Sequence, residues 1–236
     1  MIIDRSALDA TAAFKLLIGS ILPRPIAWVS TLSAEGVANL APVSFFTGAG
    51  RKPPMVSLAL QPCSDGELMD TFVNIRDTGE FVVNVATLPQ AHQMHQSAAE
   101  FPPGVDEFEA VGLEKAACEV VRAPRIAGAP ISLECRLERV VPISDLDDHI
   151  VFGVVERFHI RDDLYMERGR IDTAALAPIG RLAAEYTLVE NVFVTPLDDD
   201  VLAGRAGRRM QRLDGLPTEY SPMTSTAYVP SRPVAG

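Results

Sequence analysis

The sequence predicts a mainly β protein, a barrel of short antiparallel strands with helices laid over it. Two observations carry that prediction. Runs rich in branched and aromatic side chains recur along the chain, each bounded by glycine, proline, serine or aspartate turns. Only two or three segments show a helical spacing of apolar residues, and they do not alternate with the strands as a layered α/β fold requires.

The elements follow in order. Residues 4–20 predict an opening helix capped by Asp4 or Ser6, with Phe14, Leu17 and Ile18 as its apolar stripe. It stops before Pro23, since the residue ahead of a proline avoids helical geometry. Ile26–Leu32 reads as a strand, Ser33-Ala34-Glu35-Gly36 as a tight turn, and Val37–Ala41 as the returning strand, which Pro42 ends for want of an N–H. Val43–Pro54 predicts a long loop and Met55–Leu60 a third strand. Ser64-Asp65-Gly66-Glu67 has the form of a capping box, starting a helix that runs to about Asp77 and stops at Gly79. Phe81–Ala86 is a strand, and Thr87–Gln90 caps a helix carrying His92, Met94 and His95. Residues 101–112 predict an irregular acidic loop. Ile131–Val140 alternates, with Ile131, Leu133, Cys135 and Leu137 on one face and Ser132, Glu134, Arg136 and Glu138 on the other, as in a half-exposed strand. A turn at Asp145–His149 leads into a strand over Ile150–Ile160. Residues 1–195 are expected to form one domain. From Pro196 the character changes to prolines, an aspartate run and the cluster Arg205, Arg208, Arg209 and Arg212. That composition predicts an extended arm over 196–236.

The net charge of −10 and pI near 4.9 argue against a nucleic-acid partner but leave room for a local basic pocket. Cys63, Cys118 and Cys135 are odd in number and far apart, which gives neither a disulfide framework nor a zinc spacing. No secretory signal and no uncharged run long enough for a membrane span is visible, so a cytoplasmic protein is expected. The segment Val43–Pro54 offers Ser44, Thr47, small residues, Phe45, Phe46 and the Arg51-Lys52 pair, which suits a flat, anionic, partly aromatic ligand.

An ordered series of motifs runs through this framework. It includes Pro23-Arg24-Pro25, Val29-Ser30-Thr31, Gly36, Asn39-Leu40-Ala41-Pro42, Ser44-Phe45-Phe46 and Pro53-Pro54. Further on come Asp70-Thr71, Asn74-Ile75, Gly79-Glu80-Phe81, Val83-Asn84-Val85, Pro103–Phe108, Gly112-Leu113 and Pro178-Ile179-Gly180-Arg181-Leu182. The series resembles the flavin reductase-like family. That resemblance implies a six-stranded antiparallel split β-barrel of the FMN-binding, Greek-key type, working as a homodimer with flavin sites at the subunit interface. It also implies FMN as cofactor and NADH or NADPH as co-substrate, with hydride passing to flavin N5 and reduced flavin reaching an acceptor or a partner monooxygenase. A flavin-binding carrier or sensor without pyridine-nucleotide turnover, and an interaction protein with a decayed flavin site, are the alternatives.

The resemblance carries Ser30, Thr31, Asn39 and Ser44 to flavin contacts, against the ordinary alternative of turn and strand-end hydrogen bonds. Ala41, Pro42, Phe45 and Phe46 would line the ring, with core packing the even alternative for both phenylalanines. Arg24 is assigned to the phosphate or flavin edge or else to a surface ion pair. Thr71 is assigned to an anion at a helix start. Arg181 binds a second substrate's phosphate or serves as a structural ion-pair partner. Met69 replaces a basic residue usual in the family, Thr47 replaces asparagine and Gly50 replaces serine, so Arg51 and Lys52 are the candidate substitutes for the lost charge. Trp28 is read as core. His92 and His95 lack a third ligand of suitable spacing, and His159 is either surface or in contact with a nicotinamide nucleotide. Hydride transfer to a flavin needs no acid–base residue of the protein, so no catalytic side chain is assigned.

Overall fold

The computed structural model describes residues 2–189. The predicted arm over 196–236, with its arginine cluster, lies outside them. Residues 2–161 and Pro178–Leu188 form one compact unit, whose centre is a seven-stranded, wholly antiparallel sheet.

The first strands are β1 (Arg24–Pro25), β2 (Ala27–Leu32), β3 (Ala38–Val43), β4 (Phe46–Arg51), β5 (Pro54–Leu60) and β6 (Glu80–Val85). They are followed by β7 (Ile131–Pro142), β8 (His149–Ile160), β9 (Ile179–Arg181) and β10 (Tyr186–Leu188). The large sheet runs β3-β2-β6-β7-β8-β5-β4, and a small one runs β1-β9-β10. The sheet curls around an apolar interior formed by Val29, Val56, Leu58, Phe81, Val83, Cys135, Val151 and Val155. A second apolar cluster, including Trp28, Leu40, Met94, Phe108 and Ile179, covers the opposite face of β2 and β3. Both faces of β2 are therefore buried. Trp28 lies in the core as predicted, its indole N–H donating to the Ser97 hydroxyl at 2.9 Å.

Three helices flank the barrel: α1 (Ala10–Ser20), α2 (Asp70–Thr78) and α3 (Ala91–Gln96). The cap of α1 is Asp9, whose carboxylate accepts from the Ala12 amide at 2.7 Å, and not Asp4 or Ser6. Asp4 flanks, and Ser6 lies within, a separate 3-10 turn, Arg5–Ala7. Helix α2 starts at Asp70, later than the capping-box pattern indicates. Ser64–Glu67 instead closes its own turn, with the Cys63 amide donating to the Glu67 carbonyl and the Glu67 amide to the Asp65 carboxylate. Phe72 and Ile75 are buried and Leu68 packs against them, and Gly79 ends the helix in the left-handed conformation at φ 71°.

Two strand expectations change. Pro42 does not end β3, whose ladder continues through Trp28↔Pro42 and Ala27↔Val43. β3 is an edge strand, so a residue without an N–H costs the ladder nothing on its open side. The predicted loop over 43–54 is instead a hairpin in which β4 pairs with β5, from Phe46↔Leu58 to Arg51↔Pro54, and this makes seven strands where six were expected. Within the predicted acidic loop, Glu107–Ala110 forms a helical turn capped by Asp106. The polar face of β7 is not uniformly exposed, because Ser132 and Glu134 are buried beneath the segment that precedes the strand.

Gly180 lets β9 close on β1. A Cβ there would lie 2.9 Å from the Pro23 side chain and 3.2 Å from that of Thr187. Asp162–Ala177 belongs to a second unit. It contains the ladder Tyr165–Met166 with Arg170–Ile171 and a helical turn, Thr173–Leu176, capped by Asp172. No described helix is long and apolar enough to cross a membrane.

Candidate functional site

The end of β1, the β3–β4 connection, the end of β5, the start of α2 and the residues after β9 surround an open cleft of about 300 Å³. Its walls include Arg24, Pro42, Ser44, Phe45, Met69 and Arg181, with Phe14 and Ile18 of α1 closing one side.

Arg24 is the most constrained of these side chains. It is only 6% exposed, although its guanidinium remains charged. One terminal nitrogen donates to the Ile18 carbonyl at 2.6 Å and the Ile21 carbonyl at 3.3 Å, and the other to the Leu182 carbonyl at 2.8 Å. The first two acceptors belong to the C-terminal end of α1, where the helix dipole favours a cation. The guanidinium also lies 5.8 Å from the centre of the Phe45 ring, which stacks on Phe14 at 6.1 Å. Its Nε is buried without a hydrogen-bond partner among the described residues. Burial, and then repulsion by Arg181, lower the Arg24 pKa from its ordinary value.

Arg181 stands opposite in the ladder as the partner of Arg24. Its guanidinium rests 4.7 Å from the centre of the Tyr186 ring, whose hydroxyl is 3.1 Å from His95 Nδ1. Among the described residues neither arginine forms an ion pair, so two guanidiniums face one cleft with no carboxylate to neutralise them. The surface-ion-pair alternative for Arg24 is thereby replaced by carbonyl contacts in a buried setting.

The residues named from sequence separate into three groups. Arg24, Pro42, Ser44, Phe45 and Arg181 line the cleft. Ser30, Thr31, Asn39 and Thr71 are buried and bonded within the protein. Ser30 donates to the Pro124 carbonyl at 2.6 Å and accepts from Asn84 at 3.1 Å, and Asn74 donates to Thr31 at 2.9 Å. The Asn39 amide lies 3.0 Å from the Thr71 hydroxyl. With its nitrogen turned toward Glu107 at 3.2 Å, the oxygen of that amide accepts from Thr31, Thr71 and the Leu40 amide. Thr47, Arg51 and Lys52 form the third group, on the exposed β4 hairpin, while Ala41 is half-buried on β3. Phe46 packs on the barrel core, so the two adjacent phenylalanines face different environments.

Of the predicted apolar stripe of α1, Phe14 and Ile18 line the cleft. Their spacing does mark an apolar face, but spacing cannot tell what that face meets. Tyr186 and His95, which hold Arg181, carry no sequence signal that links them across 91 positions.

An antiparallel split barrel with a cationic, aromatic-walled cleft defines the class as the split-barrel flavin reductase-like fold. The model of the flavin reductase like domain matches residues 18–175. An uncharacterized protein of Aquifex aeolicus is 39% identical over 178 residues, covering 75% of this chain and 90% of its own. Among solved structures, nitrilotriacetate monooxygenase component B from Bacillus cereus is 36% identical with a TM-score of 0.78, covering 82% of this chain and 98% of its own. Pseudomonas fluorescens 2-nitrobenzoate 2-nitroreductase is 32% identical with a TM-score of 0.75, covering 84% and 98%. The chain belongs to the flavin reductase-like family.

Proposed function

We propose that this protein is a flavin-dependent oxidoreductase that uses FMN, takes hydride from NADH or NADPH, and hands electrons to an acceptor or a partner oxygenase. The observation that carries the reading is the pair Arg24 and Arg181, which line the cleft without an ion-pair partner among the described residues. The two guanidiniums repel each other, and an anionic ligand between them relieves that repulsion. The cleft's donor set fits a phosphorylated aromatic ligand: guanidiniums for the phosphate, the Ser44 hydroxyl for a polar edge and Phe45 for an apolar face.

When bound, the flavin supplies the two-electron acceptor that the side chains lack. The protein's share is binding, orientation and electrostatics. Arg24 is fixed by three carbonyls and so presents its charge without reorganising, which is the arrangement that stabilises negative charge most effectively. Arg181, held among the described residues by the face of Tyr186, can adjust to a second ligand. Pro42, Val43 and Leu60 keep one wall of the cleft apolar. The similarity to a monooxygenase component B supports a partner oxygenase, and the similarity to a nitroreductase supports direct reduction of an organic acceptor.

The same reading makes the protein a homodimer. Helix α1 borders the cleft yet buries none of its own residues, which leaves an apolar surface for a second copy to cover.

The test is an FMN titration of the full chain followed by anaerobic addition of NADH and NADPH. FMN is expected to raise the Tm, and bleaching of its visible absorbance is expected with one of the nucleotides. Arg181→Gln should weaken nucleotide or flavin binding about tenfold or more, the scale of one charge-assisted contact. Saturating FMN without any change in Tm would eliminate the reading, and flavin binding without nucleotide oxidation would leave a carrier.

A further inference from the structure

Away from the cleft, β7, β8 and the segment before them bring together three side chains that the proposed reaction does not use. Cys118, Glu134 and His159 each point a ligand-type atom to one spot, and these atoms lie within 4.8 Å of one another. Glu134 is fully buried on β7, His159 is part-buried on β8, and Cys118 comes from the segment that covers them. We propose that Cys118 Sγ, Glu134 Oε1 and His159 Nε2 form a binding site for a divalent first-row transition metal of the zinc type.

The two carboxylate oxygens of Glu134 have different duties. Oε2 accepts from the Val120 amide at 2.6 Å and the Val121 amide at 3.0 Å, and these bonds fix the group. Oε1 has one long amide contact, Glu119 N at 3.2 Å, and otherwise faces His159 Nε2 at 2.6 Å. The bond between Nε2 and Oε1 is the one a cation replaces. Tetrahedral zinc with these ligands separates its donor atoms by roughly 3.5 Å, so the histidine and the carboxylate move apart while the thiol moves in. The changes are about an ångström, within the reach of side-chain rotation.

The donor set fits the metal. Thiolate, imidazole and carboxylate are the ligands a borderline cation takes, while calcium and magnesium require oxygen alone. On binding, the Cys118 S–H proton leaves to solvent and the sulfur keeps the electron pair that it donates to the metal. The hydrogen that Nε2 shares with Oε1 also leaves that nitrogen, to Nδ1 by way of solvent from a neutral imidazole or to solvent from an imidazolium, which frees the Nε2 lone pair with no change of oxidation state. Burial, and then the Glu134 carboxylate, push the Cys118 thiol up to about 12 against the nearby positive charge of Arg125, so it is the metal that displaces the S–H proton. The backbone amides on Oε2 serve as the outer support that holds a ligand in place. His159 retains 25% side-chain exposure, which leaves an entry path and room for water at a fourth position. Such a site would clasp the segment carrying Cys118 to Val121 onto the sheet.

The test uses the full chain with Co²⁺ as a spectroscopic probe and Zn²⁺ as the stabilising ion. Expected are one equivalent of Co²⁺ bound with a thiolate-to-cobalt charge-transfer absorption in the near ultraviolet, and a rise in Tm with Zn²⁺. Cys118→Ser should abolish that absorption and keep a native far-ultraviolet circular dichroism spectrum. His159→Gln should weaken binding about tenfold or more, and Cys63→Ser should leave it unchanged. The proposal is overturned if the unmodified protein shows no such absorption at saturating Co²⁺, or if Cys118→Ser retains it.

Discussion

Glu107 shows how much a single buried carboxyl can govern. It is 6% exposed, accepts from the Leu40 amide at 3.0 Å, and ends the polar chain that runs from Asn74 through Thr31 and Asn39. Burial raises its pKa above the ordinary 4.5, and the nearby Asp70 and Asp106 push the same way, against the backbone bonds that lower it. A raised folded-state value means that the folded chain holds a proton the unfolded chain has released. The stability tied to this proton is fully present below the unfolded pKa and is lost as the pH climbs through the raised one. Thermal melts of the unmodified protein and of Glu107→Gln across the weakly acidic range should therefore converge or cross. The unmodified protein loses stability relative to the variant as pH rises, and a difference in Tm that stays constant with pH would refute this. The same network explains why residue roles were only partly legible in the sequence. Serine, threonine and asparagine at a strand end carry the same letters whether they meet a ligand or a neighbour such as the Pro124 carbonyl, which accepts the Ser30 hydrogen bond.

Among the elements, the strands with branched, alternating sequences are legible in the chain, whereas helix starts and strands defined by a distant partner are not. β2, β5, β6, β7 and β8 emerge from branched, alternating runs, and Gly79 marks a helix end through its own backbone. β4 has the sequence Phe-Thr-Gly-Ala-Gly-Arg, which has little strand preference and becomes a strand because β5 offers it a ladder. Gly153 on β8 is a second case. It sits at a register shift against β7, and a Cβ there would collide with the ring of Phe81, a core residue of β6. The two residues lie 72 positions apart (153 − 81) and meet only because the barrel curls. Gly153→Ala should destabilise the fold by about 1–3 kcal/mol, the usual range for overpacking. Chemical denaturation measures this, and Phe81→Leu in the same chain should recover part of the loss. A variant as stable as the unmodified protein would mean that the ring has space the structure does not give it.

At the scale of the whole molecule, the unresolved balance is that of α1. Its eleven residues, Ala-Thr-Ala-Ala-Phe-Lys-Leu-Leu-Ile-Gly-Ser, include one charged side chain, and none is buried. Leu16 is 46% exposed, Leu17 48% and the following Ile21 51%, which places an apolar strip next to the cleft. A short helix held by so few contacts is marginal alone, because helices in proteins draw their stability from packing one face. A contiguous apolar strip of this kind marks an association surface. Association of two copies would bury the strip and close the cleft from its open side, linking oligomeric state to ligand affinity. Sedimentation of the unmodified chain should give a dimer. Leu17→Glu, which introduces a charge into the strip without touching a cleft-lining residue, should shift it toward monomer by about tenfold or more in dissociation constant. If the coupling holds, FMN affinity falls with the dimer and recovers at high protein concentration. A monomeric unmodified chain, or a variant that stays dimeric with unchanged FMN affinity, would show that α1 is stabilised in some other way.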